Sequence, residues 1–243
     1  MKKNGFTLRM KKEHGFTLVE AIVALFISSF MLVAIYSSMD MAQKSATKIE
    51  KRVVGQQDAR SALELMSLEI QMASYNPTLS SSIWVNPSSC SGTGYNTTYR
   101  GIQIAGANTL TIEMDINDDG VISGTTAYPE IIKYDYNSAN QEITRTTNCA
   151  SASEDQIFLG GVASNVDTKT VLVKNYEAGI PVFRYFDGNG AELSAPVSTS
   201  IPNIRMVEIT LVVDTYSADA DGKRKRIVYS NNVIPRNHST LIY

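Results

Sequence analysis

Residues 16 to 39, FTLVEAIVALFISSFMLVAIYSSM, hold one charged side chain, Glu20, in a run that is otherwise apolar apart from Thr17 and four serines. A helix of roughly 20 residues crosses a ~30 Å hydrocarbon layer, so this segment predicts a membrane-spanning helix. A buried core helix would show a polar face and flanking turn signals. A secretory signal peptide has a shorter apolar region of about 7 to 15 residues, followed by a small-residue cleavage site. Glu20 is the anomaly. A carboxylate in hydrocarbon costs about a few kcal/mol or more and marks a functional position.

The span separates two differently charged parts of the chain. Residues 1 to 15 carry Lys2, Lys3, Arg9, Lys11 and Lys12 against Glu13, which leaves 17 Lys+Arg and 23 Asp+Glu in the remainder. Basic residues before a span predict a cytoplasmic N-terminus and an exported C-terminal body. An acidic body argues against a broad nucleic-acid face, because phosphate neutralisation needs clustered cations; no nucleic-acid partner is expected. The one basic run, Lys223 to Arg226, reads as a solvated turn feeding an edge strand protected by Lys and Arg. A weak anionic or DNA contact is the alternative.

The basic leader contains a near-repeat, KKNGFTLRM at residues 2–10 and KKEHGFTLVEAIVALF at residues 11–26. The second copy resembles the N-terminus of a type IV prepilin: a basic leader ending in Gly, then Phe, then a Glu four residues on, then an apolar helix. The resemblance implies that prepilin peptidase cuts between Gly15 and Phe16 and methylates the new amino group of Phe16. It also implies that Glu20, the fifth residue after the cut, meets the amino terminus of a neighbouring subunit, which offsets its burial. A glycine before the scissile bond lets the backbone approach a protease in extended form. The first copy has Met10 in the fifth position and Arg9, Lys11, Lys12 and Glu13 around it, so it reads as extra leader, with Met10 an alternative start.

Beyond Ser38 the chain is polar but free of proline until Pro77, with one glycine, Gly55. Ala59, Leu63, Met66, Ile70 and Ala73 recur at spacings of three and four and define one helical face; Arg60, Glu64, Ser67 and Gln71 lie on the other. The helix is expected from about Phe16 to Ser74, with a bend or local melt at Gly55. From Pro77 onward, NTLTIEMD, EIIKYDY, QEITRTT, IPVFRYFD, RMVEITLVVDTY and KRIVYS alternate like half-buried strands. YDYNSANQEIT and YFDGNGAEL read as hairpins. The expected fold is α+β and pilin-like: a long N-terminal helix whose second half packs on an antiparallel β-sheet domain. Its parts are a leader (1–15), a membrane or filament-core helix (16–39), an amphipathic continuation (40–76) and a β-rich exported domain (77–243).

Several stretches of the body, DARSALELMSLEIQMASYNP, DINDDG, VFRYFDGNG, RMVEITLVV and NNVIPRN, resemble in this order a PilW-type minor pilin and the J-type pseudopilins of type II secretion. The resemblance implies a structural subunit of type IV pilus assembly anchored in a bacterial inner membrane. Its implied partners are prepilin peptidase and other pilin and minor pilin subunits. A type II secretion pseudopilin, or a pilus-displayed calcium-dependent adhesin or ligand-binding module, are the alternatives.

DINDDGVISGTT begins like a calcium loop: Asp115, Asn117 and Asp119 alternate ahead of Gly120, with the Val121 carbonyl and Ser123 as further ligands. Thr126 stands where a bidentate Glu is needed, and Glu130 or Glu113 are the residues that could fold back instead. Calcium is therefore one expectation and an acidic Asx-type turn the other. Cys90 and Cys149, both on the exported side, are expected to form a disulfide, which in the chain-entropy account contributes on the order of 4 kcal/mol. No Ser–His–Asp pattern, P-loop or dinucleotide fingerprint occurs. His14 falls in the leader and His238 in a polar tail. The chain does not read as an enzyme.

Overall fold

The computed structural model describes residues 15–80, 83–85, 100–123, 128–148, 156–161, 171–215 and 225–238. The expected disulfide pair Cys90 and Cys149 lies outside them, as do Thr126, the upstream Gly-Phe copy and Lys223. The chain divides into two compact units, Met1–Thr47 and Lys48–Tyr243.

A 55-residue helix, α1 (Leu18–Met72), dominates the N-terminal third. It runs through Gly55 without a break, which corrects the expected local melt. Gly55 is itself buried, so the roughly 1 kcal/mol penalty of a helical glycine is outweighed by the packing that begins there. Ala59, Met66, Ile70 and Ala73 are fully buried, as their spacing predicts, and Leu63 packs beside them. Ser67, placed on the polar face by periodicity, is buried instead. Its hydroxyl donates to the Leu63 carbonyl (2.6 Å) and accepts from Asn231 Nδ2 (2.8 Å), so the polar group is satisfied where it lies.

Two antiparallel sheets form the body of the second unit. The first is a five-stranded meander, β1 (Ile102–Ala105), β2 (Thr109–Glu113), β3 (Ile131–Asn137), β4 (Glu142–Thr147) and β5 (Gln156–Gly160), each strand beside its sequence neighbour. The second contains β6 (Val171–Val173), β7 (Phe183–Phe186), β8 (Glu192–Leu193), β9 (Met206–Thr215) and β10 (Lys225–Val233). Its order is β10-β9-β7-β8, with β6 also on β9. A one-turn helix, α2 (Asn175–Ala178), links β6 to β7. The hairpin turns follow their side chains: Asn137 Oδ1 accepts from the amides of Ala139 and Asn140 (3.0 and 3.1 Å), and Asp187 Oδ1 from those of Asn189 and Ala191 (2.8 and 2.9 Å).

One core joins α1 to both sheets, built from Met66 and Ile70 on the helix, Leu110, Ile112 and Tyr134 on the first sheet, and Phe183, Tyr185, Ile209 and Leu211 on the second. Polar ties fix the helix in register. Glu69 takes Arg145 on both carboxylate oxygens (2.6 and 3.2 Å) and the Tyr134 hydroxyl as well. The Arg60 guanidinium lies 5.7 Å from the Tyr229 ring centroid. Past the helix end, the Ser74 amide donates to the Glu113 carbonyl (2.8 Å), and Ser74 has φ +65°. Gly101 (φ +84°) passes so close that a Cβ there would sit 2.6 Å from the Ser74 Cα, so only glycine fits.

A smaller cluster, Ile83, Trp84, Val85, Ile122 and Ile131, packs on the first sheet. It is tied down by Glu113, whose Oε2 accepts from the Val85 amide (3.2 Å) and Gln103 Nε2 (3.0 Å). Burial pushes this carboxyl up to about 8. His238, expected in a polar tail, is also buried. Its ring bridges Ser74 Oγ (2.9 Å at Nδ1) and the Ile201 carbonyl (2.9 Å at Nε2).

Candidate functional site

Two places carry the residues singled out by sequence. The first is the head of α1. Gly15, Phe16 and Thr17 precede the helix, and a Cβ on Gly15 would meet nothing within 4 Å. Packing among the described residues therefore does not demand a glycine there. Phe16 is 90% exposed.

Thr17 and Glu20 close a reciprocal capping box. Glu20 Oε2 accepts from the Thr17 amide (3.0 Å) and hydroxyl (2.9 Å), and Thr17 Oγ1 accepts from the Glu20 amide (3.3 Å). Two orphan amides at the helix start are thereby satisfied, and a negative charge sits at the positive end of the helix dipole. The Glu20 carboxylate is thus held at Thr17, the residue after Phe16. Thr17 was not singled out from sequence, although its T-x-x-E spacing to Glu20 is the recognised capping signal.

Behind this head, α1 is long and apolar enough to cross a membrane, and none of its most apolar stretch is buried within the chain. Leu18, Leu25, Phe26, Phe30, Leu32 and Val33 are all exposed. Such a surface is stable only in lipid or against other apolar helices.

The second place is the turn after β2. The Asp115 amide donates to the Tyr75 carbonyl (2.9 Å), and Asp118 and Gly120 adopt left-handed φ values of +61° and +77°. Asp115 Oδ1 accepts from the Asp119 amide (3.2 Å) and Oδ2 from the Gly120 amide (2.9 Å). Asn117 Oδ1 shares the Asp119 amide (3.1 Å), and Asp119 Oδ1 accepts from the Val121 amide (2.8 Å). These are the bonds of an Asx-type turn. The Tyr75 hydroxyl, hydrogen-bonded to Asp118, is raised above its usual range.

Glu130, at the start of β3, folds back onto this turn. Its Oε2 accepts from the Ser123 amide (3.0 Å), and its own amide is held by Asn148 Oδ1 (3.0 Å). One oxygen from each of Asp115, Asp119 and Glu130 then lies within 4.8 Å of the others, with Asp115 and Glu130 fully buried. Three hard oxygens at that separation suit a divalent cation such as calcium. Glu113, the other residue that could fold back, is turned toward Val85 and Gln103. Asn117 bonds to Asp119 from both its amide atoms, so it is part of the turn. Val121 and Ser123 are engaged through their backbone amides.

Residues 10–36 match the family model described as the prokaryotic N-terminal methylation motif. No curated protein and no solved structure matches the chain. The matched segment contains Gly15, Phe16, Thr17 and Glu20 and ends inside the apolar part of α1.

Proposed function

We propose, for a chain that carries a prepilin-type methylation motif ahead of an α+β body, that it is a minor pilin of a type IV pilus. It acts as a structural subunit, cut between Gly15 and Phe16 by prepilin peptidase, N-methylated on Phe16, and drawn from the membrane into a filament or its tip. The observation that carries this reading is the conjunction at the head of α1: a glycine with no packing role, an exposed Phe16, and a carboxylate capped beside it at the start of a membrane-length apolar helix.

The working chemistry is association. Glu20 exchanges its bonds to Thr17 for the amino terminus of a neighbour, where low dielectric strengthens the pair. Mass spectrometry of the chain recovered from its membrane tests the first step. A mature chain beginning at methylated Phe16 supports it, and one that begins elsewhere refutes it. Deletion should then abolish piliation. Intact pili with loss of type II secretion would assign the chain to that machine instead.

We propose secondly that the Asp115, Asp119 and Glu130 oxygens take up one calcium ion, a reading favoured by the return of Glu130 to the turn. The ion would neutralise two buried carboxylates and stiffen the link between β2 and β3. Millimolar calcium should raise the Tm of the wild-type chain, and Asp115→Asn should remove the effect. A Tm unchanged by calcium would leave the Asx-type turn as the whole account.

A further inference from the structure

We propose that the outer edge of β10 is a docking site for an extended strand of another protein chain, one with carboxylates at the end that lies beside Lys225. The inference stands independently of the N-terminal reading.

An open sheet edge presents a row of backbone donors and acceptors that a strand satisfies better than any other structure, and proteins blunt such edges unless they are used. Five strands have one sheet neighbour: β1, β5, β8, the three-residue β6, whose Val173 amide donates to the Gln141 carbonyl (2.9 Å), and β10. The first four are blunted. β1 is four residues long, bulged against β2, and bridged on its far side where the Val197 amide donates to the Ala105 carbonyl (2.8 Å). β5 has five residues and a register shift against β4. β8 has two.

β10 is neither short, bulged nor bridged; its edge charges, Lys225 and Arg226, stand only at its first two positions. It runs nine residues in unbroken register with β9, from Lys225 opposite Thr215 to Val233 opposite Val207. It contains no proline, and from Ile227 to Val233 no charge. Six of its nine residues are exposed. In an antiparallel pair about half of the backbone groups point away from the partner strand. On β10 these meet no backbone partner among the described residues.

The chemistry of the occupant follows from the side chains. Arg226 is occupied by Asp214 (2.8 Å) and Glu177 (3.1 Å). Lys225 is exposed and makes no ion pair among the described residues. Among the described residues, a strand laid along the edge meets the Lys225 cation at one end, and on the opposite sheet face it runs beside Val228, Ser230 and Asn232, which favour an uncharged, β-branched segment. Main-chain bonds supply the affinity and the terminal charge sets the direction.

The test uses the full-length chain in detergent micelles. The probe is a nine-residue Thr/Val peptide with two aspartates at one end, made in both polarities. Binding is read by fluorescence anisotropy and by hydrogen exchange. The expected result is slowed exchange confined to residues 225–233 and to one polarity, with binding at least about tenfold weaker when alternate peptide amides are N-methylated. Lys225→Glu should weaken binding, and exchanging the aspartates for lysines should restore it. No slowing at millimolar peptide, or equal binding by the N-methylated peptide, overturns the proposal. Slowed exchange that appears without peptide and grows with protein concentration overturns it too, since the occupant is then a second copy of this chain.

Discussion

Replacing Glu113 by Gln should abolish a large pH dependence of stability. Glu113 is fully buried; its Oε2 accepts two hydrogen bonds and its Oε1 has no partner among the described residues. Burial pushes its carboxyl up to about 8 from an unfolded value of 4.5. For a carboxyl raised in the folded state, the stabilisation is fully present below pH 4.5. It is lost as pH climbs from there through about 8, because the unfolded chain ionises first. The interval corresponds to about 3 to 5 kcal/mol at 1.36 kcal/mol per unit. That is a large part of a typical folding free energy of about 5 to 15 kcal/mol.

Glutamine keeps the acceptor for Val85 and Gln103 and does not titrate. The difference between wild type and Glu113→Gln should therefore move by about 3 to 5 kcal/mol in favour of the variant between pH 4.5 and 9. Other titrating groups cancel in that difference. The single tryptophan of the chain, Trp84, is buried in the segment that Glu113 ties down and reports its unfolding. Urea titrations of the full chain in detergent, followed by Trp84 emission at pH 5, 7 and 9, give the measurement. Parallel pH profiles for the two proteins would refute the reasoning.

Replacing Gly15 by Leu should leave uncleaved precursor while the same change at Gly5 should not, as read by the mass of the chain from membranes; equal effects would contradict the site. Glu20→Ala should be cleaved and methylated normally yet enter filaments at least about tenfold less than wild type, as judged by immunoblots of sheared pili, and normal incorporation would count against the charge pair. Glu69→Ala leaves Arg145 and the Tyr134 hydroxyl without their shared acceptor and should destabilise by about 3 to 5 kcal/mol. Adding Arg145→Ala to it should cost less than the two single losses together, because both remove one interaction. Thermal melts of the three variants measure the coupling.

The methylation motif at the head of α1 was legible from its spacing, although the Thr17 cap to Glu20 was not. Gly15, Phe16 and Glu20 are close in sequence, their chemistry depends on local spacing, and the apolar run behind them declares itself by length alone. The helix face from Ala59 to Ala73 was equally plain, since a 3.6-residue period places those side chains together whatever they pack against. The two hairpins followed from Asn137 and Asp187 bonding to backbone amides two to four residues on. β1, β5 and β6, at three to five residues, were missed because strands so short are held by their neighbours in the sheet rather than by any pattern of their own.

What periodicity could not supply was the identity of distant partners. Ser67 looked polar-facing until Asn231, 164 residues away, met its hydroxyl. His238 looked like tail until Ser74 and Ile201 enclosed it. The sequence by itself determined the membrane-length helix and the α+β order of elements, because each rests on patterns within a few turns of chain. Only the tertiary structure decided that Glu130 rather than Glu113 returns to the acidic turn, that Glu113 is buried as a raised acid, and that the long edge of β10 is open among the described residues. Those outcomes depend on which distant segments exclude water from one another, a quantity no local spacing encodes.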